Sequence, residues 1–331
     1  MSLLPSGNDV ALRSYLFNMT EASHIGEARR FAAQITTELN FTEARASDVA
    51  ILVNELGTNL SRHAIQGNLI LQATEIEGIN AIQILAIDNG PGIQDLEISM
   101  KDGVTSSTTP GLGLGSLKRQ SDEFDIFTSP EGTLIYCAIL AENRPVTYSR
   151  KARFATSVIC LPVGEEKVSG DSWFEIRNGD NTVLMVVDGL GHGPLAHKAA
   201  AEAVDAFKQM DASLPLDVMM MRLHALLRST RGAALSLARW IPGKDSVEFL
   251  GIGNVRGVVE DFVKQRTLLN HPGTVGLQFR PKAPNTVSWT GHGYLVLHSD
   301  GILTRWTTES LNGLEDKHPA LIAAKIYRDF L

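Results

Sequence analysis

The sequence predicts an α+β protein of two domains, and three observations carry that prediction. Its 331 residues exceed what one ordinary hydrophobic core organises. The first 140 residues pass from helical periodicity into strand-like runs. Beyond about residue 150, strand candidates outnumber helices and the helices stand in the middle, which suits a layered sandwich better than a doubly wound sheet.

The elements follow in order. Residues 20–40 and 43–66 read as helices, because apolar side chains such as Ile51, Leu52, Leu56 and Leu60 recur at three- and four-residue spacing. Asn40 and Thr42 separate them as a break and a cap. Strands are expected at 68–75 and 80–87 around the Glu77-Gly78 turn, then a Gly-, Ser- and Thr-rich stretch over 89–113. A helix over 114–122 and strands over 125–128 and 132–140 complete the first half. The run AENRPVTYSR, 141–150, breaks the periodicity, so the first domain is set at 1–143 and the second at 144–331. In the second domain strands are expected at 155–161, 171–177, 182–187, 233–240, 246–251, 254–259 and 293–298. Helices are expected at 193–209, 215–228 and 318–330.

Composition excludes several classes. Hydrophobic residues at 44% and charged residues at 20% are the balance of a soluble globular protein. A net charge of −7 argues against a nucleic-acid binder, which needs a basic face. The charge is uneven, with 9 Lys+Arg against 18 Asp+Glu through residue 146 and 21 against 19 thereafter. The opening MSLLPSGNDV has no basic and apolar regions of a secretory signal. The most apolar helical stretch, 216–227, is short and carries Asp217, Arg222 and His224, so no membrane span is expected and the location read is cytoplasmic. Cys137 and Cys160 each sit in apolar sequence and read as buried thiols.

Two constellations carry chemistry. On the second helix Glu55 and Asn59 are four apart, with Arg62 and His63 one turn further, all on one polar face. Asp88-Asn89-Gly90-Pro91-Gly92 then places an acid at a strand end, followed by glycines that let backbone approach a ligand. Gly111-Leu112-Gly113-Leu114-Gly115 opens a helix bearing Lys118 and Arg119, where free N–H groups and basic side chains suit a phosphate. Each piece alone is a common turn or a solvated face; the ordered set is specific.

That order resembles the GHKL ATP-binding fold, an α/β sandwich with a mixed sheet covered by helices. NELGTN (54–59) stands for its N-box, and DNGPG and GLGLG for its glycine boxes. The resemblance implies Asn59 on Mg²⁺, Asp88 on the adenine amino group and the GLGLG backbone on the phosphates of ATP. It also implies Thr133 as a second adenine-side contact and Glu55 as the base toward a substrate hydroxyl. Only 53 residues precede the N-box, too few for the phosphoacceptor helices of a sensor histidine kinase. The segment over 100–126 resembles the serine/threonine switch kinases of bacterial stressosomes (RsbT-like), with anti-sigma-factor kinases as cousins. The short lid over 93–110 suits small phosphoacceptor proteins.

The second constellation is three carboxylates. Gly170-Asp171 opens a strand, Asp188-Gly189 ends the next and leads into Leu190-Gly191-His192-Gly193, and Ser299-Asp300-Gly301 ends a third. Aspartates at neighbouring strand ends converge, and carboxylate oxygens are the ligands hard cations prefer. Asp-Gly is also the commonest turn dipeptide, so only the set is informative. GEEKVSGDSWFEI, VVDGLGHGPLAHKAA, GIGNV and LHSDGI resemble the PPM-type phosphatases, in the SpoIIE branch with RsbX-like members, and so imply an αββα sandwich. Carried over, Asp188 bridges two Mn²⁺ or Mg²⁺ ions, Gly189 gives its carbonyl, Asp300 binds one ion, and Asp171 acts directly or through water.

His192 lies further on than the family's proposed proton donor and is weighed equally between that role and turn packing. His271 and His292 read as structural. The resemblance implies a last strand with a further metal aspartate, whereas this sequence closes on Arg328-Asp329-Phe330-Leu331, and Asp329 reads as an exposed helix residue. Asp316 is the other candidate for completing the metal set. Together the resemblances imply a bifunctional regulator acting on STAS-domain phosphoacceptor proteins. The rival reading is an ATP-binding interaction module that gates the phosphatase without transferring phosphate.

Overall fold

A computed structural model of the chain describes residues 14–76, 78–100, 113–143, 154–164, 166–178, 181–241, 243–280 and 282–331. These divide into two compact units, one running to Ile159 together with Asp316–Arg328, the other Cys160–Glu315 with Asp329–Leu331. The expected 143/144 boundary touches 144–153, which lie outside the described residues, as do Gly111 and most of the 93–110 lid.

In chain order the elements are β1 (Ser14–Asn18), α1 (Ala22–Glu38), α2 (Glu43–His63), β2 (Asn68–Ile76), β3 (Ile79–Ile87), α3 (Leu96–Ser99), α4 (Leu114–Gln120), β4 (Glu123–Ser129) and β5 (Gly132–Leu140). There follow β6 (Asp171–Asn178), β7 (Asn181–Gly189), α5 (Pro194–Lys208), α6 (Leu216–Leu226), β8 (Ala233–Ile241), β9 (Ser246–Ile252), β10 (Arg256–Glu260) and β11 (Gln265–Thr267). The last are β12 (Asn270–His271), β13 (Gly273–Thr274), β14 (Gln278–Phe279), β15 (Asn285–Ser288), β16 (Tyr294–His298) and α7 (Pro319–Phe330).

The first unit is a five-stranded sheet in the order β1-β2-β3-β5-β4. Its four ladders are all antiparallel, so the mixed sheet expected from the resemblance is not what forms. Two hairpins, β2–β3 and β4–β5, bring the chain straight back on itself, and antiparallel pairing follows. Thr42 caps α2, its hydroxyl accepting from the Arg45 N–H at 3.4 Å. The apolar stripe of α2 (Val49, Leu52, Val53, Leu56, Leu60) meets Ala28, Ala32 and Ile35 of α1 and alternate residues Ile82, Ile84, Ile135, Cys137 and Ile139 of the sheet. Each fully buried Leu or Ile there contributes roughly 1.5–3 kcal/mol. Cys137 is buried and free, and burial pushes its thiol up to about 12.

The intervening residues of β5, among them Leu134, Tyr136 and Ala138, are buried as well, so β5 is covered on both faces. Tyr136 explains part of this. Its ring stacks on His318 at 4.1 Å between centroids, its hydroxyl donates to Glu123 Oε2 at 2.6 Å and accepts from Gln83 Nε2 at 3.2 Å. Just before α7, the His318 N–H and Lys317 Nζ both donate to the Asp125 carboxylate, at 2.7 and 3.1 Å. The C-terminal segment is therefore a structural part of the first unit.

The second unit has a large sheet ordered β12-β9-β8-β7-β6, with β15 also on β9, and a three-stranded sheet β11-β10-β16. The helices α5 and α6 pack on the large sheet through Ala196, Ala199, Ala203, Phe207, Met219, Met220 and Leu223. The small residues of α5 let it approach β6 and β7 closely. The strand expected at 155–161 does not form. Its apolar run fits the pattern, but a strand requires an edge, and no described ladder pairs with it.

Tyr136→Phe would remove the buried hydroxyl that accepts from Gln83 and donates to Glu123. It is expected to destabilise the first unit by about 1–3 kcal/mol. A lower urea midpoint for that unit, with the second unit's transition unmoved, is the measurement.

Candidate functional site

The first site is built by a carboxylate folded over a glycine loop. Asp88 follows β3 directly, and its Oδ1 accepts from the Gly90 N–H at 2.6 Å. Its own N–H donates to the Thr133 carbonyl at 3.0 Å. A Cβ on Gly132 would run into the Asp88 carbonyl, and one on Gly92 into the Ser129 carbonyl, so both positions demand glycine. The Ile93 N–H donates to Thr128 Oγ1 at 2.8 Å, and Thr128 shares a hydrogen bond with Thr133 at 3.2 Å. Asn89 ties the loop to the residues after α2, its N–H donating to the Ile65 carbonyl and its side chain to Gln66. Burial raises the Asp88 pKa, while the Gly90 and Thr133 backbone and the Arg328 guanidinium oppose it.

Glu55 and Asn59 lie one turn apart on α2, both half-exposed while Leu52, Leu56 and Leu60 are buried. Gly113 caps α4 and Gly115 is buried within it; Lys118 and Arg119 are exposed in its last turn, not at its N-terminus. Sequence reasoning missed Arg328, whose Nη1 donates to the Asp88 carbonyl at 3.1 Å. No local signal marks it, since 240 residues separate the pair.

The second site is set by sheet register. Asp171 of β6 and Asp188 of β7 are directly opposed across an antiparallel ladder, and their side chains share a hydrogen bond. Ser299 Oγ donates to Asp171 Oδ2 at 2.6 Å. Asp300 adds its charge to both, and Asn254 Nδ2 donates to Asp300 Oδ2 at 2.6 Å. Burial, then the charges of Asp171 and Asp300, push Asp188 up to about 7. Gly189 is required here too, because a Cβ would strike the Ala196 carbonyl of α5. His192 is largely exposed, with Nδ1 2.8 Å from Glu166 Oε1. His292 contributes its carbonyl, which accepts from Trp289 Nε1 at 2.6 Å.

The donor chemistry of this cluster fits a hard divalent cation: oxygen atoms only, negative and repelling one another. Among the described residues no three His, Cys, Asp or Glu side chains close into a finished metal cage. Burial and the neighbouring charges raise the pKa of both Asp171 and Asp188, as carboxylates packed beside like charges do.

The family model of the histidine kinase-like ATPase domain matches residues 18–139, and that of stage II sporulation protein E (SpoIIE) matches residues 178–329. The chain is a fusion of these two domains. Its ATPase domain is 32% identical over 109 residues to serine/threonine-protein kinase RsbT of Bacillus subtilis (strain 168), covering 33% of this chain and 82% of that protein. Its phosphatase domain is 23% identical over 139 residues to phosphoserine phosphatase RsbX of the same organism, covering 41% of this chain and 69% of that protein. An anti-sigma F factor of Caldanaerobacter subterraneus subsp. tengcongensis is 30% identical over 115 residues, covering 33% of this chain and 79% of that protein.

Within the phosphatase domain, Asn254 and Ser299 are residues that the sequence reading quoted inside motifs but gave no role. No helix among the described residues is long and apolar enough to cross a membrane.

The raised Asp188 pKa has a stability consequence with a definite sign. A folded carboxylate that binds its proton more tightly than the unfolded one contributes stability below about pH 4, which is lost as pH rises through about 7. Metal-stripped protein in EDTA should therefore show a phosphatase-domain melting temperature that falls between pH 5 and 8, and Asp188→Asn should flatten that fall. Equal slopes for the two proteins would refute the assignment.

Proposed function

We propose that this chain is a bifunctional partner-switching regulator. Its ATPase domain phosphorylates serine or threonine on STAS-domain phosphoacceptor proteins, and its phosphatase domain removes such phosphates with two Mn²⁺ or Mg²⁺ ions. The observation that carries the reading is the register that sets Asp171 opposite Asp188, with the charge of Asp300 acting on both. Three carboxylates so placed repel one another unless cations or protons neutralise them. The activities of the relatives RsbT and RsbX, a serine/threonine-protein kinase and a phosphoserine phosphatase, support the pairing.

In the phosphatase domain Asp188 would bridge the ions, Gly189 would offer its carbonyl, Asp300 would hold one ion and Asp171 would act directly or through water. Bound divalent cations supply a water of lowered pKa and neutralise phosphoester charge. The chain's own part is orientation: Ser299 fixes the Asp171 carboxylate and Asn254 fixes Asp300. In the ATPase domain Asp88 would accept from the adenine amino group, Thr133 would stand beside it, and Gly113, Gly115 and Lys118 would lie toward the phosphates. Asn59 would hold Mg²⁺ and Glu55 would take the proton from the substrate hydroxyl. The loop geometry supports Asp88 in this role, since the Gly90 N–H and the nearby Arg328 favour its acceptor form.

Purified protein with STAS-domain proteins, labelled ATP and Mg²⁺ or Mn²⁺ tests both halves. Asn59→Ala is expected to lose Mg²⁺-dependent ATP binding. Glu55→Gln should keep binding and lose transfer by about 10²–10⁴-fold. Wild-type protein that binds ATP but transfers nothing would make the first domain an interaction module gating the phosphatase.

Asp188→Ala should abolish Mn²⁺-dependent hydrolysis and leave ATP binding intact. Hydrolysis at the wild-type rate in that variant would overturn the metal assignment.

A further inference from the structure

The phosphatase domain holds a basic side chain at the rim of its aspartate cluster that neither the aspartates nor any other described group uses. Arg231 follows α6 and precedes β8, and it is exposed. Its segment is tightly tied. Thr230 donates both its N–H and its hydroxyl to the Leu227 carbonyl, at 3.0 and 2.7 Å, and accepts from the Gly232 N–H at 2.9 Å. The Leu190 N–H then donates to the Gly232 carbonyl at 3.0 Å, joining this segment to the loop that leaves Asp188. The result is a long cation anchored at its backbone and laid over that loop: a Cβ built on Gly191 would lie 3.3 Å from Arg231 Nη1.

Gly191 in turn stands beside the cluster. Its carbonyl, like that of Gly189, lies within 4 Å of where a Cβ on Gly170 would be, and Gly170 directly precedes Asp171. Among the described residues Arg231 makes no hydrogen bond or ion pair. No arginine figures among the groups that set the protonation of Asp171 or Asp188. The guanidinium thus lies over the Gly191 turn of the loop that leaves Asp188, with its fork of donors free.

We propose that Arg231 receives the phosphate oxygens of the phosphomonoester substrate, as a bidentate positioning group at the mouth of the aspartate cluster. The inference rests on the phosphatase reading above. A planar guanidinium matches two phosphate oxygens, and a free one at a site that must hold a dianion serves that purpose better than a lysine. Ground-state binding of the phosphate, rather than the displacement itself, is what Arg231 supports. Its loss therefore falls on KM and on inhibition by inorganic phosphate.

The test is steady-state hydrolysis of p-nitrophenyl phosphate and of a phosphoserine peptide by the full chain in saturating Mn²⁺. Arg231→Ala should raise KM for both, and the inhibition constant of inorganic phosphate, by roughly ten- to a hundred-fold. The Mn²⁺ concentration for half-activation and the melting temperature should stay at wild-type values, and Arg231→Lys should recover part of the loss. A KM within twofold of wild type in Arg231→Ala would overturn the proposal, as would a shifted Mn²⁺ requirement with KM unchanged. If wild-type protein hydrolyses neither compound in Mn²⁺, the phosphatase reading itself fails and this inference falls with it. An active wild type with an unaltered Arg231→Ala variant removes this inference alone.

Discussion

The facing of Asp171 and Asp188 across the β6–β7 ladder is the constraint around which the second domain is arranged. Like charges directly opposite on neighbouring strands oppose sheet formation. Here the register is fixed along the whole length of the ladder, from Asp171↔Asp188 to Asn178↔Asn181, and β8 locks β7 from the other side. Slipping by one residue would separate the aspartates but would also turn the buried Val183, Met185 and Val187 to the wrong face. The hydrophobic core therefore holds the carboxylates together against their repulsion. Asn254 and Ser299 then fix the orientations of the outer members, and the Gly189 backbone admits α5 close behind them.

The ATPase domain solves a related problem with the opposite means. Its key carboxylate stands alone at the end of β3, and close backbone packing rather than charge clustering shapes its surroundings. Gly92 and Gly132 let the loop after Asp88 and the β4–β5 hairpin press together, and Thr128 and Thr133 stitch the contact. Arg328 closes the outside of this corner by holding the Asp88 carbonyl. Because Lys317 and His318 anchor the same C-terminal segment to Asp125 and Tyr136, the corner is supported from sequence far beyond its own domain's family match.

What could be read from the sequence follows from the range of the interactions involved. Helices α1, α2, α5, α6 and α7 and most long strands were legible because each repeats its apolar pattern over two or more turns or pleats. The two- to four-residue β11–β15 were not, because segments that short carry no period, and β1 was not assigned either. The 155–161 run shows the converse: a strand-like pattern is a local property, while a ladder needs a free edge. Among site residues, the aspartates announced themselves through Asp-Gly at strand ends. Ser299 sat beside one of them, yet its bond to Asp171 spans 128 residues and only the fold creates it. Arg231 and Arg328 had no local signature at all. Arg328 acts on the Asp88 carbonyl and Arg231 lies over Gly191, placements that tertiary structure makes and no spacing rule encodes.

The two sites also show how surroundings act differently on one residue type. Asp88 and Asp188 are both partly buried aspartates ahead of a glycine turn, and burial raises both. Around Asp88 every other influence opposes that rise: the Gly90 and Thr133 backbone and the positive Arg328. Its rise is therefore opposed from three directions. Around Asp188 the neighbours reinforce burial, with Asp171 and Asp300 adding negative charge and Asn254 alone opposing. A proton or a bound cation relieves the repulsion so created. The difference lies in no feature of the Asp-x-Gly or Asp-Gly motif. It arises because β3 ends among backbone donors, whereas β7 ends opposite another aspartate.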